Sequence, residues 1–83
     1  FTSIPDPNFE NALISMGYDQ APADGKVLKA NIANISGLDI NSRSISSISG
    51  IQDFTSLKTL NCRNNMISAI DLTSNVLLEN LNC

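Results

Sequence analysis

Apolar residues change their spacing partway along the chain. From residue 35 onward they fall into a recurring figure. Ile35, Leu38, Ile40, Ile45 and Ile48 match Leu57, Leu60, Cys62, Ile67 and Ile70, and Leu78, Leu81 and Cys83 begin the figure again. Before residue 35 the spacing is different. Phe9, Leu13 and Met16 stand at i, i+4 and i+7, the stripe of an amphipathic helix. Asp6 is placed as its N-cap, Pro7 at its first helical position, and Gly17 where a left-handed C-terminal residue belongs. The stretch DQAPADGK at 19–26 is turn-rich and leads to a first strand or half-coil around Val27–Ile35.

The shared pattern is L-x-x-L-x-[C/I]-x-x-N-x-I-x-x-I, a leucine-rich repeat present about two and a third times. Its spacing has a physical cause. Residues of a strand alternate in direction, so Leu38, Ile40, Leu60, Cys62, Leu81 and Cys83 point inward. One strand cannot bury its apolar side alone. Stacking successive turns about 4.8 Å apart gives a parallel sheet and a continuous aliphatic core. Short strands are therefore expected near residues 38–40, 59–62 and 80–82, with Ile67, Ile70 and Leu72 buried on the return path. Three columns face outward: Gly37/Thr59/Asn80, Asp39/Asn61/Asn82 and Asn41/Arg63. Asn65 is expected at the bend, its amide bonding backbone groups of the turn. Arg43 replaces that Asn in the first unit, so the first coil should be irregular. The fold class is α/β, a leucine-rich repeat solenoid fragment. Residues 1–34 form a helical cap and lead-in, and residues 35–83 carry the repeats in a right-handed coil of parallel strands.

Candidate chemistry changes this picture little. A net charge of −3 over 83 residues argues against a phosphate-backbone partner, which needs a basic face. The chain has no His, its eight acidic residues form no obvious pair in a cleft, and its Ser-rich stretch lacks an activating partner, so no enzyme is expected. Asp24-Gly25 imitates the middle of a calcium loop. That register puts Gln20, Pro22 and Asn31 at ligand positions, so it reads as a turn. Asn34-Ile35-Ser36 is a formal glycosylation sequon, but Ile35 belongs to the stack. Cys62 and Cys83 occupy one inward position on neighbouring strands. They read as small buried hydrophobes, because side chains projecting in parallel from adjacent strands rarely reach disulfide separation. With no His and no third Cys, neither a metal nor another cofactor is expected.

The helix IPDPNFENALISMGY, the passage ISGIQDFTSLKTLNC and the turn LTSN resemble bacterial extracellular leucine-rich repeat proteins, internalin-like, with Cys-containing LxxLxC repeats. The resemblance implies a secreted or surface-exposed protein whose repeats are a scaffold for protein or glycan contact. The chain starts at Phe1 rather than Met, so a removed leader or a trimmed start is expected. No apolar stretch approaches the roughly 20 residues that span a bilayer. Two functions remain open. One is a binding module using the outward residues Asp39, Asn41, Thr59, Asn61, Arg63, Asn80 and Asn82. The other is a purely structural N-terminal cap that nucleates a longer array with recognition further along. The strand around Leu81 has no partner encoded on its far side, so self-association through that edge is a further expectation.

Overall fold

The computed structural model describes residues 1–68 and 70–82. Its first helix, α1, spans Pro7–Ser15, and the punctuation read from the sequence explains both ends. The Asp6 carboxylate accepts from the Asn8 amide, Pro7 opens the helix, and Gly17 beyond it has φ +86°. Phe9 and Leu13 are buried as expected and Met16 is half-buried, while Ala12 and Glu10 also face inward.

The lead-in differs from the expected half-coil. Thr2–Ser3 (β1) pairs antiparallel with Lys26–Val27 (β2), and a helical turn, α2, covers Lys29–Ile32. Only Val27, Ile32 and Ile35 in this stretch sink into the core. Three buried residues at that spacing suit a short strand and a turn of helix better than a coil.

The repeat region forms the sheet foreseen. Gly37–Asp39 (β3), Thr59–Asn61 (β4) and Asn80–Asn82 (β5) are parallel, in the order β3-β4-β5. Leu38 aligns with Leu60 and Leu60 with Leu81, so the sequence columns are structural columns. The coils even repeat their hydrogen bonds. Ser36 O accepts from the amides of Lys58 and Thr59, and Lys58 O accepts from those of Glu79 and Asn80. After β3 the return path passes through a 3-10 turn at Ile51–Asp53. The first coil is irregular: Ser42 and Ser44 both take positive φ, whereas Asn64 alone does so in the second.

One apolar cluster joins helix and coils. Phe9 of α1 stacks on Phe54 with centroids 6.1 Å apart. The polar seam is equally specific. Asp6 Oδ2 accepts from Ser46 N at 2.8 Å, Ser46 Oγ at 3.0 Å and Ser47 N at 2.9 Å, forty residues along the chain. Asn8 Nδ2 donates to Ser44 O, and Thr2 Oγ1 donates to Asp53 Oδ2. Gly50 lets the N-terminal strand lie this close, since a Cβ there would sit 2.6 Å from Ser3 O.

Several inward assignments need correction. Leu38, Ile40, Leu60 and Cys62 are buried, but Ile67 and Leu72 are only partly so, and Ile70 is 39% exposed. Leu81 is 50% exposed, because β5 has no described strand on its far side. Asn61, expected exposed, is half-buried between two neighbouring strands. Cys62 is disulfide-bonded, not a free buried thiol. The assignment of Cys83 to the inward ladder lies outside the described residues.

Candidate functional site

The outward residues of β3, β4 and β5 line an open groove of about 700 Å³. Gly37, Asp39, Thr59, Asn61, Asn80 and Asn82 contribute from the strands, and Met16 closes one side from the end of α1. Asn41 and Arg63, the third expected column, are not in its lining and instead finish the strands. The Asn41 amide N–H donates to Asp39 Oδ1, as does the Asn41 side chain, and the Arg63 amide donates to Asn61 Oδ1. β3 and β4 thus end in the same two-residue side-chain turn.

Those turns set the chemistry of the face. The Asn41 side chain, then its backbone N–H, hold the Asp39 carboxyl below its usual range, with the Arg43 charge adding to the effect. Asp39 is therefore ionised, exposed and fixed in orientation. The side chains of Thr59, Asn80 and Asn82 have no hydrogen-bond partner among the described residues. A row of unpartnered amides and hydroxyl beside one carboxylate can bind polar groups. Among the described residues it holds no nucleophile–base pair.

Asn65 does what its position suggested. Its Oδ1 accepts from the amides of Arg43 and Ile45 at 3.0 and 3.1 Å, and its Nδ2 donates to Ile40 O, Cys62 O and Arg63 O. One side chain therefore closes the bends of two successive coils, including the bend where Arg43 stands in for Asn. A second such residue went unrecognised. Asn75, in the LTSN turn, is 4% exposed and donates through Nδ2 to Ile51 O and Phe54 O. Its Oδ1 is buried without a partner among the described residues. The sequence signal was an Asn at the repeat position of Phe54, where an apolar residue would otherwise fill space.

The structure also gathers acidic side chains that the sequence left scattered. Oxygens of Glu10, Asp19 and Asp24 lie within 4.8 Å of one another, which corrects the view that the acids form no group. Glu10 is 1% exposed and accepts from the amides of Asp24 and Gly25 at 3.0 and 2.7 Å. Burial above all raises its carboxyl from the usual range, and the Asp19 and Asp24 carboxyls push the same way against the two N–H bonds. The cluster pins the 19–25 loop to α1. Calcium takes about six to eight oxygens, so three carboxylates alone do not specify a metal site. Asp24-Gly25 is the turn it resembled, with Gly25 at φ +82°.

No protein-family profile matches the chain, and no curated protein matches it in sequence. Solved structures do match. The functional domain of InlJ from Listeria monocytogenes, described as including a cysteine ladder, superposes over 93% of this chain at a TM-score of 0.76 and 28% identity. The internalin InlF from the same species covers 95% of it at a TM-score of 0.81 and 27% identity. The chain spans 18% and 23% of the length of those two chains. No helix among the described residues is long and apolar enough to cross a membrane. With a parallel stack of repeat strands and these neighbours, the chain is similar to the Listeria internalins, the resemblance its sequence suggested.

Proposed function

We propose that the chain is a non-enzymatic, secreted or surface-displayed leucine-rich repeat module that binds protein through its strand face. One observation carries the reading: the groove over β3–β5 sets Asp39 and Asn61, fixed by their turns, beside Thr59, Asn80 and Asn82, whose side chains have no hydrogen-bond partner among the described residues. Among the described residues no aromatic ring lines it, which favours a protein surface over a glycan, since aromatic faces are the common platform for apolar ring contact. In this reading residues 1–34 cap the first coil, residues 35–83 present the ligand, and the coil is right-handed as parallel crossovers almost always are. A photoreactive side chain in place of Asn61, compared with one in place of the exposed Ser49, tests it against a pool of extracellular proteins. Protein adducts from the Asn61 position alone are expected. Equal adducts from both positions contradict the reading.

A second reading is purely architectural, with this unit a cap that nucleates further coils. The half-exposed Leu81 favours it, because another coil or a second copy stacked on β5 would cover that side chain. A monomeric chain whose Asn61-position crosslinker captures protein supports the first reading over this one.

A further inference from the structure

We infer that the groove takes a polypeptide segment anchored by one basic side chain, Lys or Arg, lying over Gly37 with its charge on Asp39. The inference rests on the strand face being a protein-binding surface and adds the chemistry of the partner.

Charge points this way first. Asp39 is the one ionisable side chain among the described residues lining the groove. Its Oδ1 is occupied by Asn41, which leaves Oδ2 directed and unpartnered among the described residues. The cation that could neutralise it from within is diverted. Arg43 acts on Asp39 through its field, yet its Nη1 donates to Ser15 Oγ at 3.0 Å on α1. A chain of net charge −3 also steers basic partners toward it.

Shape agrees with charge. Gly37 and Asp39 stand on the same face of β3, two residues or about 7 Å apart, comparable to an extended Lys side chain. Gly37 puts no side chain of its own over that stretch of β3, where Thr59 Oγ1 stands 3.0 Å from the place a Cβ would take. Met16 offers an apolar wall for the methylene stem of Lys or Arg. Asn61 Nδ2, Asn80 and Asn82 can serve the backbone of the same segment, each amide being donor and acceptor. An exposed ion pair adds little affinity by itself, so the amides carry binding and Asp39 carries selection.

Two peptides that differ at one position test this by amide NMR: Gly-Ser-Ser-Lys-Ser-Ser-Gly and Gly-Ser-Ser-Glu-Ser-Ser-Gly, both with blocked ends. The Lys peptide should shift the amides of Gly37, Asp39, Thr59 and Asn61 and bind about five-fold more tightly than the Glu peptide, the most an exposed pair supports. Asp39→Asn, which keeps an acceptor for the Asn41 turn, should reduce Lys binding to the Glu level. Gly37→Ala should weaken Lys binding as well, because its methyl group stands where the basic side chain crosses β3 beside Thr59 Oγ1. Equal binding of both peptides, no shift at these amides, an unaffected D39N, or tighter binding of chitotetraose at the same amides would overturn the inference. Capture of protein through the Asn61 position is read separately, so the face can survive the loss of its basic anchor.

Discussion

Leu60 and Leu81 hold the same place in the repeat, yet Leu60 is 2% exposed and Leu81 50%. The same contrast runs along the return path, where Ile48 is 2% exposed and Ile70 39%. The first coil lies between α1 with its N-terminal strand and the second coil. Among the described residues β5 pairs only with β4, and all three of its residues are exposed. The repeat pattern sets the direction in which a side chain points. Depth comes from what is stacked on either side, and each coil buries its neighbour's core.

Truncation across this pair breaks the comparison most directly. Leu60→Ala should destabilise by about 2–5 kcal/mol in chemical denaturation, through lost transfer energy and an unfilled cavity. Leu81→Ala should cost about 1 kcal/mol, since half of that side chain is already in water. Equal losses would mean that position in the repeat, and not stacking, sets the contribution.

The two structural asparagines sharpen the same contrast. Asn65→Ala removes bonds at both bends and strands partly buried backbone groups, for an expected loss of about 2–3 kcal/mol. Asn75→Ala loses two bonds from a side chain whose Oδ1 has no partner among the described residues, so the loss should be smaller, about 1–2 kcal/mol. Thermal unfolding of the two variants side by side checks the order.

The smallest effects are electrostatic and have opposite signs. Burial opposes ionisation of Asp6, but bonds from the Ser46, Ser47 and Asn8 amides and the Ser46 hydroxyl outweigh it and lower its pKa from 3.8. Its stabilisation is therefore present above that ordinary value and is lost as pH falls through the folded one. Glu10 is raised from 4.5, chiefly by burial, so its contribution is present below 4.5 and fades as pH rises through the folded value. Stability measured against pH should fall less steeply on the acid side in Asp6→Asn, which still caps α1. It should lose the fall at higher pH in Glu10→Gln. An unchanged profile in either variant would remove that residue from the account.

Much of this was legible in the sequence because local rules governed it. Asp6, Pro7 and Gly17 bracket α1, and the Leu38–Leu60–Leu81 register follows from counting. Alternation placed Gly37, Asp39, Thr59, Asn61, Asn80 and Asn82 on the groove face, but the groove also reaches Leu38, Leu60 and Leu81 and leaves out Asn41 and Arg63. What stayed hidden depended on distant partners. Nothing near Asp6 shows that Ser46 and Ser47 will share its carboxylate, and nothing near Glu10 shows that Asp19 and Asp24 will crowd it. The exposure of Ile70 and the bonding of Cys62 likewise depend on neighbouring turns rather than on the repeat motif.

Native-state amide exchange reads the central claim residue by residue. The Ile40 amide, bonded to Asn61 O, and the Cys62 amide, bonded to Asn82 O, belong to strands stacked on buried side chains. The Asn80 amide, bonded to Lys58 O at 3.0 Å, belongs to β5, whose three residues are all exposed. All three are hydrogen-bonded, so a difference among them reports stacking and not the bond itself. The account predicts protection near the global unfolding limit for Ile40, less for Cys62, and least by a wide margin for Asn80. Equal protection at the three positions would contradict it.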